Sequence, residues 1–557
     1  MTGESACRLA RSRVHHASVA RGDQSRWVAL AGFALLVAYV VVRELGNSAY
    51  DDSYFFKRFA LHAVENGVYA WNLEDGAVHG STSQLFQALT TAVVLFTKTH
   101  FVAAVRVLDG ALLVLTAGLL LRVARGPLVL LTLGNALVTS VIRSNMETAL
   151  ALAVLAAALV LELRTSREPK RWADVMSVAA TVLVYLARPD AAAIVAVFAL
   201  LHRWWSGRGV IRYAVMLGVS MALVWAGLWA VYGTALPLSF HMKTMALHTY
   251  GPHIASKRWS AKVPHLLVFA FTVAPMLWLL VRARVWKRRD ATLALTLSAL
   301  AFVAYHVVST HEIMGYRARF YVPALVPLCL ATARVWPAER VPLARWGAFV
   351  VVWSGCAAVA YGQGWMPNGD GFFLTVLPWP VYVMLALGWS VALAWPQRGG
   401  LAVAGCLLVG TVAWIPMEDS ELRSDTDVIF RHNREVTTTR GVFDVARCLP
   451  AGSTVYHSEM GVPGLVLYRM RVIDQAGLLS RDVAMGGRSF QTRCAQERPE
   501  AIFLPHRNYR ALNTEIAASA CIEDYVRIVK RSSSALHVRA DLAEGFLQCG
   551  TEYREWR

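Results

Sequence analysis

Hydrophobic residues fall in long blocks along roughly the first three-quarters of the chain. Apolar runs cover 27–45, 101–121, 127–142, 147–163, 173–187, 190–203, 212–232, 264–282, 291–309, 320–336, 345–361, 373–393 and 400–416. A helix needs about 20 apolar residues to cross a bilayer core, so these runs predict about thirteen transmembrane helices, several of them short at their edges. Past residue 416 the blocks stop and an ordinary polar mixture begins. There the pattern predicts a helix over 438–449, stopped by Pro450-Ala451-Gly452, and strands at 453–457, 472–474 and 501–504. The chain thus divides into an N-terminal tail (1–26), an all-α polytopic membrane domain (27–416) and a soluble α/β domain (417–557).

Composition agrees. Of the 557 residues 56% are hydrophobic, against ~45–50% in soluble domains, and the mean hydropathy is +0.43. The formal net charge of +18 does not point to nucleic acid, because much of the Arg and Lys lies in short loops between the runs, as the positive-inside rule expects. Arg8, Arg11, Arg13, Arg21 and Arg26 precede the first run. That run is longer than the ~7–15 residues of a signal-peptide core, so it reads as an uncleaved anchor with a cytoplasmic N-terminus.

The apolar segment 81–97 sets the orientation of everything after it. Laid along the outer interface as a juxtamembrane helix, it leaves inside the loops that carry Arg122 and Arg125, Arg164 to Arg171, Arg203 to Arg212, Arg282 to Arg289, Arg334 to Arg345, and Arg398. If it spans, all of them move outside, against the Lys/Arg bias. An odd number of spans then places residues 417–557 outside. Cysteine usage fits that placement. Cys329, Cys356 and Cys406 lie in spans, whereas Cys448, Cys494, Cys521 and Cys549 all lie in the polar domain. An even number outside the cell predicts two disulfides, with three connectivities open; four free thiols is the alternative in a reducing compartment.

With this orientation the polar islands of the membrane domain share one face. They are Asp51 and Asp52, 79–83, Arg143 to Glu147, Arg188-Pro189-Asp190, the loop 232–264 with His241 and Lys243, and 311–319 with His311, Glu312, Arg317 and Arg319. Charged groups are costly to desolvate in a bilayer, so this clustering predicts a shared polar cavity. Asp51-Asp52 opens a helix-like segment running to about Asn66, whose Tyr54, Phe55 and Phe59 among Lys57, Arg58 and His62 suit an interfacial helix. One Asp can cap that helix; the other can take a proton from an attacking hydroxyl. Lys243, His241, Arg317 and Arg319 are candidates for holding a phosphate, with interfacial snorkelling as the plain alternative. Glu147, Arg188 and Asp190 read either as helix-terminal architecture or, with His311 and Glu312, as hydrogen-bond partners for sugar and acceptor hydroxyls. No metal-ligand spacing, P-loop or dinucleotide fingerprint appears in the polar domain.

Taken in order, Asp51-Asp52-Ser53-Tyr54, 67–72, Gly80-Ser81-Thr82-Ser83, Asn145-Met146-Glu147-Thr148, Arg188-Pro189-Asp190, Tyr232-Gly233 with Leu236-Pro237 and Lys243, 314–323 and 472–478 resemble the motifs of GT-C fold glycosyltransferases related to mycobacterial terminal arabinofuranosyltransferases. The resemblance spans nearly the whole chain through short motifs in a specific order. It implies a polyprenyl-phosphate sugar donor, a cell-envelope glycan acceptor, an extracytoplasmic site on a bacterial plasma membrane and an inverting direct displacement. By the same resemblance Asp51 and Asp52 hold the general base, and Lys243 with Arg319 lies near the donor phosphate. It names no cofactor besides the lipid-linked donor and leaves a divalent cation open. The chain departs from the pattern at Thr310-His311-Glu312, where relatives tend to have Gly-Gly-Asp, and at Asn145, where they have glycine; both bear on sugar and acceptor more than on reaction class. Two rivals remain: a GT-C mannosyl- or hexosyltransferase acting on protein or lipid, and a transporter of lipid-linked sugars. The transporter calls for broken mid-membrane helices and an internal repeat, of which the sequence gives no sign.

Overall fold

The structure is a computed structural model that describes residues 25–47, 49, 52–165, 172–244, 251–309, 318–337, 339–362, 379–396, 399–414, 422–429, 437–485, 489–505, 509–528 and 536–555. Up to residue 414 it is helical: α1 (Ser25–Glu44), α2 (Ser53–Asn66), α3 (Gln84–Phe96), α4 (Phe101–Leu121), α5 (Gly126–Leu133), α6 (Ala136–Ser144), α7 (Thr148–Thr165), α8 (Ala173–Ala187), α9 (Pro189–Trp205), α10 (Val210–Tyr232), α11 (Leu238–Thr244), α12 (Gly251–Arg282), α13 (Ala291–Ser309), α14 (Leu325–Val335), α15 (Leu343–Gly362), α16 (Trp379–Ala394) and α17 (Gly400–Trp414). Six described helices are long and apolar enough to cross a bilayer, and the bent pair α5–α6 would make a seventh. The thirteen apolar runs all overlap helices; of the other helices on them, α8, α9, α14, α16 and α17 are shorter than a full span, whereas α15 has 20 residues. The run 127–142 is two helices meeting at 51°, because Asn135 turns its side chain onto the amides of Leu137 and Val138 and starts α6 afresh.

Burial follows the logic of a bilayer. One large cluster of Leu, Val, Ala and Phe, with Trp346 and Trp353 of α15, joins α1, α4 to α9 and α12 to α17. Helix α10 is apolar along its length, yet Ile211, Val219, Leu223 and Trp229 are each more than half exposed. Water would penalise such a surface; lipid does not. The chain is built as a multi-pass membrane protein.

The polar domain carries a five-stranded sheet of β1 (Thr454–His457), β2 (Arg471–Asp474), β3 (Ala501–Phe503), β4 (Tyr525–Arg527) and β5 (Leu536–Arg539) in the order β2-β1-β3-β5-β4. The first three strands are parallel, and β5 and β4 add antiparallel. Helix α18 (Thr437–Cys448) matches the predicted one. Cys448 bonds Cys549 and Cys494 bonds Cys521, which selects one of the three connectivities.

A dense joint fastens this domain to the membrane helices. Arg58 of α2 is fully buried; its guanidinium donates to the carbonyls of Trp71, Gly464, Leu467 and Met470 and to Asn72 Oδ1, and lies 4.4 Å over the Trp71 ring. Burial pushes its pKa down to about 9, so it stays charged at neutral pH. Asn72 closes the edge of β2 like a further strand: Val472 N–H donates to its Oδ1 at 2.8 Å and its Nδ2 donates back to Val472 O at 3.0 Å. Gly464 against Trp71, and Gly80 against Leu479, leave no room for a Cβ. Leu479 belongs to the loop that Asp474 organises by accepting from the amides of Ala476 and Leu479, both at 2.8 Å.

Candidate functional site

Several helix ends meet beside this joint. Helix α2 starts after Asp52, which occupies the N-cap position but caps nothing with its side chain. Its carboxylate instead faces the Arg319 guanidinium at 3.6 Å, with both side chains mostly buried. The capping role considered for Asp52 is therefore not the one it plays; Asp51 lies outside the described residues. Arg319 follows Ala318, a buried alanine with φ 57°. That left-handed conformation costs an L-residue roughly 1–2 kcal/mol. The tight turn it makes, continued by Val322–Ala324, sets Arg319 and Phe320 immediately before α14.

The α6–α7 junction supplies the next pair. Asn145 ends α6 at φ 52°, and its Nδ2 donates to Val102 O at 2.7 Å, tying the junction to the start of α4. Asn is among the few residues that enter the left-handed region readily, so it stands there without undue strain. Met146 Sδ lies 2.8 Å from Arg319 Nη1. Glu147 is buried within electrostatic reach of Arg188 and Asp109, and its Oε2 has no hydrogen-bond partner among the described residues. A buried, unsatisfied carboxylate oxygen beside a cluster of charges is a place where a ligand hydroxyl would be welcome.

The α8–α9 junction completes the cluster. Pro189 forces Arg188 into extended backbone and opens α9 at N1. Arg188 Nε donates to Asp190 Oδ1 at 3.0 Å, so the local ion pair read from the sequence does form. It has a third member: His306, near the end of α13, lies with Nε2 2.8 Å from Asp190 Oδ2. Because a carboxylate only accepts, His306 carries its proton on Nε2 in this pair. His306 stacks on Phe320 at 5.6 Å, and Phe320 lies 5.9 Å from Arg188 and 5.3 Å from Arg319. One aromatic ring thus links the Asp52–Arg319 pair to the Arg188–Asp190–His306 triad.

Asp52, Glu147, Arg188, Asp190 and Arg319 are therefore brought together. His241 is not shown among them: it borders Phe240 and lies within electrostatic reach of His79, while its neighbour Met242 packs on Gly477 of the polar domain. His311, Glu312 and Arg317 lie outside the described residues, as does the side chain of Lys243. His306 and Phe320 are the members the sequence reading missed. A lone histidine in the last turn of an apolar run was the available signal. Among the described residues no three His, Cys, Asp or Glu side chains group as a metal site.

The recurring motifs divide by place. Those at 52–54, 145–148, 188–190 and 319–323 build the cluster. Those at 67–72, 80–83, 232–237 and 472–478 build the joint: Tyr232 stacks on His79 at 5.0 Å, donates to Gln84 Oε1 at 3.0 Å and leads into Gly233, whose carbonyl accepts from Arg481.

No protein-family model matches the chain, and no curated protein matches it in sequence. Among solved structures it is similar to ArnT from Cupriavidus metallidurans. For ArnT bound to undecaprenyl phosphate the TM-score is 0.53, with 13% identity over 92% of this chain and 98% of that one. For the apo state the TM-score is 0.54, with 15% identity over 93% and 98%. At such identity the likeness is one of fold. The membrane helices and the polar domain together follow the fold of ArnT, and the match does not single out the arabinofuranosyltransferases.

Proposed function

We propose that this chain is a GT-C membrane glycosyltransferase that moves a sugar, arabinofuranose or a similar pentose, from a polyprenyl phosphate onto a cell-envelope glycan. The observation that carries the reading is the Asp52–Arg319 pair inside a cluster built from helix ends, on a fold like that of ArnT, one of whose structures holds undecaprenyl phosphate. In the reaction an acceptor hydroxyl attacks the anomeric carbon and gives its proton to Asp51 or Asp52. The bond from that carbon to the phosphate oxygen breaks as the new glycosidic bond forms, and a single displacement inverts the centre. Charge grows on the departing polyprenyl phosphate, and Arg319, with Lys243 and Arg317, is the group to stabilise it. Glu147, Arg188, Asp190, His311 and Glu312 are assigned to sugar and acceptor hydroxyls, and His241 to the phosphate side of the donor path.

The reading places thirteen spans in a bacterial plasma membrane, α3 along the outer interface, and the cluster and residues 417–557 outside the cytoplasm. The two disulfides support that side. A transporter would cite the bent α5–α6 pair, but every α5 side chain is buried among apolar neighbours and the break is closed by Asn135. Incubating the purified protein with a panel of defined polyprenyl-phosphate sugars and a glycan acceptor tests the proposal. Product from a pentosyl donor is expected. Product from hexosyl donors alone rejects the sugar assignment, and movement of lipid-linked sugar across vesicles without any product rejects transfer.

A further inference from the structure

The helices that carry the cluster at one end carry a second feature at the other. A cavity of about 510 Å³ opens where α4, α7 and α14 end and the α12–α13 link begins, lined by Arg122, Arg164, Arg288 and Arg334 with Leu163 and Leu330 among its apolar walls. The length of α7 alone puts about 27 Å between Glu147 and this cavity. It therefore lies at the opposite surface of the membrane domain, on the side that the Lys/Arg bias assigns to the cytoplasm.

These arginines are poorly neutralised. No acidic partner for Arg122 or Arg164 occurs among the described residues, and Arg288 is 3.7 Å from Asp290. Asp290 itself caps α13, accepting from Thr292 N–H at 2.8 Å. Glu162, the nearest acid on α7, is taken by Arg203 at 2.9 Å and Ser177. Arg334 is held by Nε donating to Thr292 Oγ1 at 3.1 Å. Three helix C-termini contribute about half a negative charge each, and Asp290 one more; four guanidiniums still leave positive charge in excess. Charge spread over loops would satisfy the positive-inside rule. Four exposed arginines from separate elements gathered around one open cavity at that surface do more than that rule requires.

We propose that this cavity binds the phosphate-bearing headgroup of an anionic phospholipid from the leaflet opposite the catalytic cluster. The guanidinium forks match phosphate oxygens in pairs, and the leucine walls suit the glycerol and first methylenes of the acyl chains. The site is independent of the transfer reaction, and its test needs no transfer assay.

Native mass spectrometry of the full chain, released from detergent carrying phosphatidylglycerol, phosphatidylcholine or inorganic phosphate, provides the test. Phosphatidylglycerol is expected to be retained at concentrations at least tenfold below those needed for phosphatidylcholine. The R122Q/R164Q/R334Q variant is expected to lose that retention tenfold or more, while R527Q in the polar domain keeps it. Should the triple variant fail to fold, R122K/R164K/R334K keeps the charge and the thermal shift of the wild type serves: phosphatidylglycerol raises Tm and phosphatidylcholine does not. Equal retention of both lipids, undiminished retention by the triple glutamine variant, no selective thermal shift, or stabilisation by inorganic phosphate without lipid retention overturns the proposal.

Discussion

The Asp52 carboxylate, at the first turn of α2, and the Arg319 guanidinium, in the turn before α14, face each other at 3.6 Å. An Asp at a helix N-cap ordinarily satisfies the helix's loose amides; this one leaves them and turns to a cation supplied by a remote part of the chain. Arg319 is constrained in turn by Met146 on one side and by the left-handed Ala318 behind it. Such positioning suits a group that must meet charge developing on a substrate.

Arg319 is expected to matter through its fork as well as its charge. R319A should raise the donor KM and lower kcat, together by about 10²-fold or more. R319K should recover KM better than kcat, because an ammonium attracts phosphate without matching two oxygens. Steady-state kinetics with a polyprenyl-phosphate sugar separate the two effects; equal kinetics for both variants and wild type would remove Arg319 from the site.

His306 is expected to act as a positioning residue, through its hydrogen bond to Asp190 beside Arg188. H306A removes a buried hydrogen bond to a carboxylate, which costs about 1–3 kcal/mol of stability. Transfer is expected to fall by about tenfold or more, whereas H306Q, whose amide N–H can donate to Asp190, should retain most of both. Thermal melts in detergent beside activity assays check this, and an H306Q variant as impaired as H306A in both would argue against the hydrogen bond as the cause.

Arg58 is expected to hold the two parts of the molecule together. R58A strands the carbonyls of Trp71, Gly464 and Met470 in a buried joint and removes one of two donors from Leu467 O and Asn72 Oδ1, a loss of about 3 kcal/mol or more. R58K should not rescue it, since three ammonium donors cannot meet five acceptors. Limited proteolysis near residues 415–436 together with a melt reads the effect; wild-type stability in R58A would show that the joint rests on Trp71 and Leu479 instead.

The parts of this architecture that hydrophobic periodicity governs were readable from residues alone. Apolar runs marked the helices, and α18, β1, β2 and β3 fell within a residue or so of their predicted places. Strands β4 and β5 escaped because Tyr525–Arg527 and Leu536–Arg539 are short and flanked by charge, and only their antiparallel pairing against β3 defines them. The candidate cluster was half legible. Charges at run ends pointed to Asp52, Glu147, Arg188, Asp190 and Arg319, because each sits at a helix terminus. His306 did not stand out, since one histidine at the end of an apolar helix carries no pattern until Asp190 is brought beside it. Nor could spacing reveal that Arg58, outwardly an interfacial charge, is the buried centre of the joint.

Stability is expected to fall with acid. Burial pushes the pKa of His79 down to about 4 and that of His457 to about 3. Both are neutral in the fold, whereas the unfolded chain takes up protons below about 6.5. Their contribution is full above pH 6.5 and is lost as pH drops towards 4. Asp474 works the other way: burial raises its pKa to about 7, so the fold keeps a proton that the unfolded chain releases, and stability rises as pH falls from 7 towards 4. Below about pH 6 the two histidines outweigh the one aspartate, and His62 and His537, whose pKa values burial also lowers, add to the same side, so the net effect of acid there is a loss of stability. Melts from about pH 6 to 4.5 should show it, and H457N should flatten the slope; an unchanged slope in H457N would contradict the assignment.

The most direct test of the central claim is sugar transfer from a defined polyprenyl-phosphate donor by wild type, D51N, D52N and the double variant, measured beside donor binding. Loss of transfer by 10²-fold or more in at least one single variant, with the donor still bound, is the predicted result. Full transfer in both single variants and in the double variant would contradict it.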